Sequence, residues 1–223
     1  MIKMQRTPEP ELMDAPDQAR AYAEADFSEP NQLFVDHFLA SFDLPLKGRL
    51  IDLGCGPGDI CIRLASALPE WQVTGLDAGP NMLALAREAV DAAALDERIE
   101  LVQAHLPADA PTGPFDAIVS NSLLHHLPDP SILWQAIGQL AATVCSVQVM
   151  DLHRPDSRDQ AEAIVAEHAA EAPEVLQTDF FNSLLAAYTA DEIVEQLNQA
   201  GLAGLELTRP TERHWLVSGR LEK

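Results

Sequence analysis

The sequence predicts an α/β fold: a doubly wound, mostly parallel sheet of seven strands, with an antiparallel C-terminal hairpin and a helical lid. Three observations predict it. Between Arg49 and Met150, short β-rich apolar runs alternate with stretches whose apolar residues recur at helical spacing. A glycine cluster, DLGCGPG over residues 52–58, stands where the first run gives way to the first of those helices. Two further β-rich runs close the chain with no helix between them. Steady strand–helix alternation implies right-handed crossovers and a parallel sheet covered on both faces.

The elements follow in order. Residues 1–18, with three prolines and mixed charge, read as a flexible arm, and residues 19–223 as a single domain. From Ala19 the chain reads helical through Tyr22, Phe27, Phe34 and Phe38, with Pro30 separating two short helices. Strands are expected at Arg49–Leu53, Gln72–Asp77, Ile99–Gln103, Phe115–Ser120 and Val144–Met150. After the first strand, Asp59 is placed to cap a helix that buries Ile60, Cys61, Leu64 and Ala65, and Pro69 stops it. Pro80 and Pro130 open two more helices. Residues 155–188 are too long for a simple crossover and read as a lid or substrate cap. Thr189 with Glu192 forms a capping-box pattern, and Gly201 ends that helix. Leu202–Thr208 and His214–Leu221 complete the hairpin.

Composition excludes several function classes. The 223 residues carry 14 Lys and Arg against 35 Asp and Glu, a net charge of -21. Nucleic acid is disfavoured as a partner, because phosphate binding needs a basic face. No membrane is expected either: there is no apolar h-region at the start and no apolar run approaching 18 residues. Cys55, Cys61 and Cys145 form no CxxC pair and their odd number fits no disulfide framework, which places the chain in a reduced, cytoplasmic setting.

Glycines in the first strand-to-helix turn let a ligand lie against bare backbone, near the positive end of the following helix. A dinucleotide fingerprint would require glycine at position 59, where Asp59 stands, and no GxxxxGK[ST] occurs. DLGCGPG instead resembles motif I of the class I methyltransferases that use S-adenosylmethionine (SAM). Three more segments fall in the family's order: VTGLD ending at Asp77, DAGPNML after it, and FDAIVSNSLLHHLPDP from Phe115. The resemblance runs from about Tyr22 to Arg154 and implies the Rossmann-like methyltransferase fold. It implies SAM as cofactor and S-adenosylhomocysteine (SAH) as product. Asp52, Gly54, Cys55 and Gly56 would form the cofactor loop, Asp77 would take the ribose hydroxyls with Ala78 beside it, and Met82 would pack on adenine. His105 and Leu106 would border the adenine, and Asn121 and Ser122 the methionine part. Two departures stand out: the family's frequent acid after the third strand is absent from VQAHLPAD, and Gly79 replaces a small hydroxyl residue.

The acceptor side is less legible. His125 and His126 follow the fourth strand; a neutral imidazole there could take a proton from an attacking group, or one ring could simply cap the next helix. Spacing gives no support for a histidine metal site, and none is expected. Tyr22, His126, His153, Arg154, Phe181 and Asn182 are candidate acceptor contacts, with Arg154 able to clamp a carboxylate or to tie down the lid. The expected activity is methyl transfer to a small-molecule acceptor by in-line displacement, governed by alignment and exclusion of water. The alternatives are a non-catalytic SAM-binding or partner-binding module and, less well matched, an NAD(P) oxidoreductase.

Overall fold

The computed structural model describes residues 4–10 and 12–223. Its sheet has seven strands: β1 (Gly48–Leu53), β2 (Trp71–Asp77), β3 (Ile99–Gln103), β4 (Phe115–Asn121), β5 (Ala141–Leu152), β6 (Glu206–Thr211) and β7 (His214–Glu222). Their spatial order is β3-β2-β1-β4-β5-β7-β6. The first five are parallel, while β7 runs antiparallel to β5 and β6 antiparallel to β7. Strand order reverses between β1 and β4, and a ligand crevice is expected outside their carboxyl ends.

Among the described residues, eight α-helices accompany the sheet: α1 (Pro16–Glu24), α2 (Ser28–Ser41), α3 (Asp59–Ala67), α4 (Pro80–Ala92), α5 (Ser131–Leu140), α6 (Arg158–His168), α7 (Glu174–Ala186) and α8 (Ala190–Gln199). Successive strand residues point to opposite faces. On one face Leu50, Val73, Ala117 and Val119 meet Phe34 and Phe38 of α2, Leu64 of α3 and Leu83 of α4. On the other, Ile51, Leu53, Ile118, Val147 and Val149 meet Leu133, Trp134 and Ile137 of α5 and Ile193 and Leu197 of α8. The apolar run of β5 is interrupted by buried Gln148, whose amide donates to Phe34 O at 2.8 Å and whose oxygen lies 3.0 Å from His37 Nδ1. A buried amide is tolerated because both ends have partners.

Several local expectations need correction. Pro30 does not separate two helices; it lies in the first turn of α2, where its absent N–H costs nothing, and the break falls at Ala25–Phe27. Asp59 does not cap α3: the N-cap is Gly58 in the left-handed region, while the Asp59 carboxylate accepts from Asn31 Nδ2 and Arg63 Nε. β5 begins directly after α5, at Ala141, and β6 begins later than expected because Leu202 and Leu205 dip into the core from a turn. The capping box at Thr189 and Glu192 is formed in both directions, and Gly201 follows α8 with φ +72°.

Two stretches flank the crevice. Residues 155–188 form α6 and α7, which bury Leu152, Ala161, Leu184 and Leu185 in a small cluster of their own. The arm lies along the body: Thr7 N donates to Leu185 O at 3.0 Å, and Arg6 donates to the carbonyls of His125, Leu127 and Ala186 with its guanidinium over the Tyr188 ring. Residues 1–3 and 11 of that arm lie outside the described residues.

Candidate cofactor and acceptor site

The loop after β1 is fastened by its backbone. Gly54 N and Cys55 N both donate to Leu76 O, at 2.8 and 3.0 Å. Its three glycines serve different needs. A Cβ at Gly54 would come within 2.8 Å of Leu123, and one at Gly58 within 3.2 Å of Ala86 on α4. Both therefore permit close packing of the loop against its neighbours. Gly56 differs: φ is +51° and nothing lies within 4 Å of where a Cβ would stand. Bare backbone there faces open space.

Asp77, at the end of β2, faces the same loop. One carboxylate oxygen accepts from Gly56 N and the other from Gly79 N, each at 2.8 Å. A carboxylate has about four acceptor positions, so capacity remains for a ligand's hydroxyl pair. Burial holds its pKa above the usual carboxylate range, against the lowering by the two amides, and nearby Asp14 adds to the rise. Asp14 is a residue that sequence reasoning did not single out. It caps α4, accepting from Asn81 N and Met82 N at 3.0 Å. A Cβ on Gly79 would lie 2.5 Å from the Asp14 carboxylate, so the departure at Gly79 has a packing cause.

Asp52 is buried beneath the loop and accepts from the Cys61 thiol at 3.4 Å. Burial pushes it up to about 7. The Cys61 thiol is also pushed well up, by its bond with Cys55 and by burial, which leaves it inert as a nucleophile. Ala78 is half-buried, Met82 buried, His105 exposed and Leu106 packed against the core edge. Asn121 ends β4 with its side-chain oxygen buried and unpartnered; Ser122 follows with φ +58°. An orphaned acceptor at the switch point and open backbone at Gly56 fit a polar nucleoside ligand.

The histidine pair occupies a 3-10 turn, Leu124–His126. His125 Nδ1 lies 2.5 Å from Asp151 Oδ1 at the end of β5, and His125 N donates to Asp151 Oδ2 at 3.1 Å. Burial alone would lower His125 and raise Asp151, but the mutual charge and hydrogen bonds outweigh it in both directions. His126 is pushed down to about 3, by burial first and then by the His125 charge. Opposite them the arm supplies Glu9, whose Oε1 is 3.5 Å from His125 Nε2 and 3.3 Å from His126 Nδ1. Neither Glu9 nor Asp151 was picked out from sequence. The only available signal for Asp151 was an acid ending a buried strand; Glu9 carried none.

The other candidate acceptor contacts divide. Tyr22 of α1 reaches the crevice: burial, with Asp77, Asp151 and Asp59 nearby, pushes its phenol up to about 12. Arg154 is committed to structure. It is buried, donating to Ala187 O at 3.1 Å and to Glu192 Oε1 at 2.6 Å, so it ties the end of the lid to α8. His153 and Arg154 line a separate cavity of about 250 Å³ with Met4, Thr189 and Arg209. Phe181 packs in the α6–α7 cluster beneath Arg158, and Asn182 is exposed.

The family described as "Methyltransferase domain" matches residues 50–146, which contain the glycine loop, Asp77 and the histidine pair. Over residues 50–146 the chain is similar to that family. Proteins similar to this chain include a trans-aconitate 2-methyltransferase from Variovorax paradoxus, 36% identical over 60% of this chain and 49% of that protein. Another is a ubiquinone biosynthesis O-methyltransferase from Xanthomonas campestris pv. campestris, 30% identical over 63% of this chain and 57% of its own length. The chain spans about half the length of the curated relatives it matches. A SAM-dependent methyltransferase from Aquifex aeolicus has the same fold, with TM-score 0.65 at 16% identity over 93% and 98% of the two chains. So has the plantazolicin methyltransferase solved with SAH, at TM-score 0.68, 14% identity and 92% and 91% coverage. Among the described residues, no helix is long and apolar enough to cross a membrane.

Proposed function

We propose that this chain transfers a methyl group from SAM to a small-molecule acceptor. The observation that carries the reading is the open backbone at Gly56 opposite Asp77, at the strand-order reversal. Bound there, SAM supplies an activated methyl group on a sulfonium. Gly54, Cys55 and Gly56 would hold it through backbone, Asp77 by its spare lone pairs, Met82 by apolar contact and Asn121 by its unpartnered oxygen. Asp52 keeps the loop in place from below. Tyr22 and the arm exclude water from the crevice mouth, and the sheet fixes the line of approach. Alignment of this kind is the main requirement when the donor is already activated. The buried, unpaired cysteines support the cytoplasmic setting as part of the same proposal.

The relatives' names suggest two acceptor classes, small polycarboxylates and hydroxylated quinone-type rings. A net charge of -21 repels polyanions at a distance, which favours the neutral class. Incubation with methyl-labelled SAM, trans-aconitate, hydroxylated quinones and a metabolite extract tests the proposal. Labelled product and SAH release are expected, with the neutral acceptors turning over faster. Tight SAH binding with no labelled product from any mixture would overturn the transferase reading.

A further inference from the structure

Glu9, His125 and His126 bring their ligand-type atoms together, all within 4.8 Å of one another. We propose that these three side chains bind a divalent transition cation of the zinc class, which clasps the N-terminal segment to the turn after β4. Three features of the cluster point to it.

The first is distance. Glu9 Oε1 lies 3.3 Å from His126 Nδ1 and 3.5 Å from His125 Nε2. These separations are long for N–H···O hydrogen bonds, which cluster at about 2.7–3.2 Å. They are ordinary between two ligands of one tetrahedral ion: bonds of about 2.0–2.2 Å place neighbouring donors roughly 3.3–3.6 Å apart. The second is the absence of donors. Glu9 Oε1 and His126 Nδ1 are buried without a hydrogen-bond partner. Nδ1 faces that carboxylate oxygen at 3.3 Å with no hydrogen bond between them. Two buried polar atoms are left unsatisfied side by side, and a cation between them would satisfy both.

The third is support behind two of the ligands. Asp151 orients His125 through Nδ1, and Ser183 Oγ donates to the other Glu9 oxygen at 3.4 Å. A carboxylate behind a ligating imidazole, as Asp151 stands behind His125, is the usual outer shell of a metal site. Two imidazoles with one carboxylate suit zinc and its transition-metal neighbours rather than calcium or magnesium, which prefer oxygen. Three protein ligands leave a fourth position for water or an acceptor oxygen. Arg6 is close, but its guanidinium is engaged by three carbonyls and the Tyr188 ring. The rival occupant is a proton on His125 Nε2. The inference does not depend on methyl transfer.

The test uses the full chain stripped with chelator and contains no SAM. Titration with zinc followed by calorimetry is expected to show stoichiometric, submicromolar binding. Glu9→Gln and His126→Ala should each weaken it by about a hundredfold or more, and Asp151→Asn by about ten- to a hundredfold. His168→Ala, at an exposed position, should leave it unchanged. Circular dichroism and melting in chelator establish that each variant is folded. Zinc should also slow proteolysis of the segment before Asp14 in the wild type and not in Glu9→Gln. Lack of stoichiometric binding would overturn the site, as would binding that Glu9→Gln and His126→Ala leave unaltered. Equal proteolysis with and without zinc would overturn the clasp and assign the contact to a proton.

Discussion

Replacing Asp77 by alanine separates its two tasks, holding the loop and holding a ligand. Its oxygens each bond one amide at 2.8 Å, on Gly56 and Gly79, which leaves about two acceptor positions for ribose hydroxyls. Hydrogen bonds to a charged group contribute roughly 1.5–3 kcal/mol each, so losing two implies about 3–6 kcal/mol of SAH affinity. Burial raises the Asp77 pKa and weakens the charge assistance, which favours the lower end, about a hundredfold in Kd. The stability cost should be about 1–3 kcal/mol, because the freed Gly56 and Gly79 amides border a crevice that water can enter. Relief of repulsion from Asp14 offsets part of it. Calorimetric titration with SAH, paired with thermal melting, reads both effects. Asp77→Asn retains one acceptor and should fall between wild type and alanine. If folded Asp77→Ala bound SAH within threefold of wild type, the carboxylate would be only a loop fastener and the ribose assignment would fail.

Gly56→Asn tests the open backbone, since asparagine tolerates the left-handed region and the space beside Gly56 is empty. Melting should stay near wild type while SAH affinity falls more than tenfold; retained affinity would show that no ligand lies there. Asp52 predicts a pH dependence of stability. Its pKa is about 7 folded and about 3.9 unfolded, so between these values the native state keeps a proton that the unfolded chain has lost. Stability from this group therefore falls as pH rises from about 4 to 7, by on the order of 4 kcal/mol, and is flat above. Asp52→Asn should flatten that slope in denaturant titrations; an unchanged slope would refute the assignment. Arg154→Met should lower stability by about 2 kcal/mol, because Ala187 O and the half-exposed Glu192 lose a buried partner. Acceptor KM should not move, and a rise in KM with unchanged melting would restore the clamp.

What could be read from sequence was local. The strand at Ile99–Gln103 and the start of α4 at Pro80 agree with the structure because each rests on short-range rules: β-rich apolar runs and proline's missing N–H. The glycine loop was legible for the same reason, as was the capping box at Thr189. Errors arose where a distant chain segment competed. Asp59 had the right chemistry for a cap, but Asn31 and Arg63 held its carboxylate and Gly58 took the position. For Arg154 the sequence left two partners open, an acceptor carboxylate or the lid; the fold gives it Ala187 O at the end of the lid and Glu192, 38 residues on.

The arm is the extreme case. TPEPELMD has the composition of a solvated tail, and no periodicity connects position 9 to position 125. What fastens it is a set of contacts available only once the sheet exists. Arg6 satisfies carbonyls left by the 3-10 turn and by the end of α7, and Asp14 caps an α4 that lacks a cap of its own. Such orphan groups arise at helix ends in any fold of this kind, so an arm with correctly spaced charges can answer them without an apolar face. Glu9 lies between these two anchors and is carried into burial by them, against its own solvation. A carboxylate held in that way keeps its place only while the charge it faces repays the loss of water, which ties the arm's order to whatever stands between Glu9 and the two histidines.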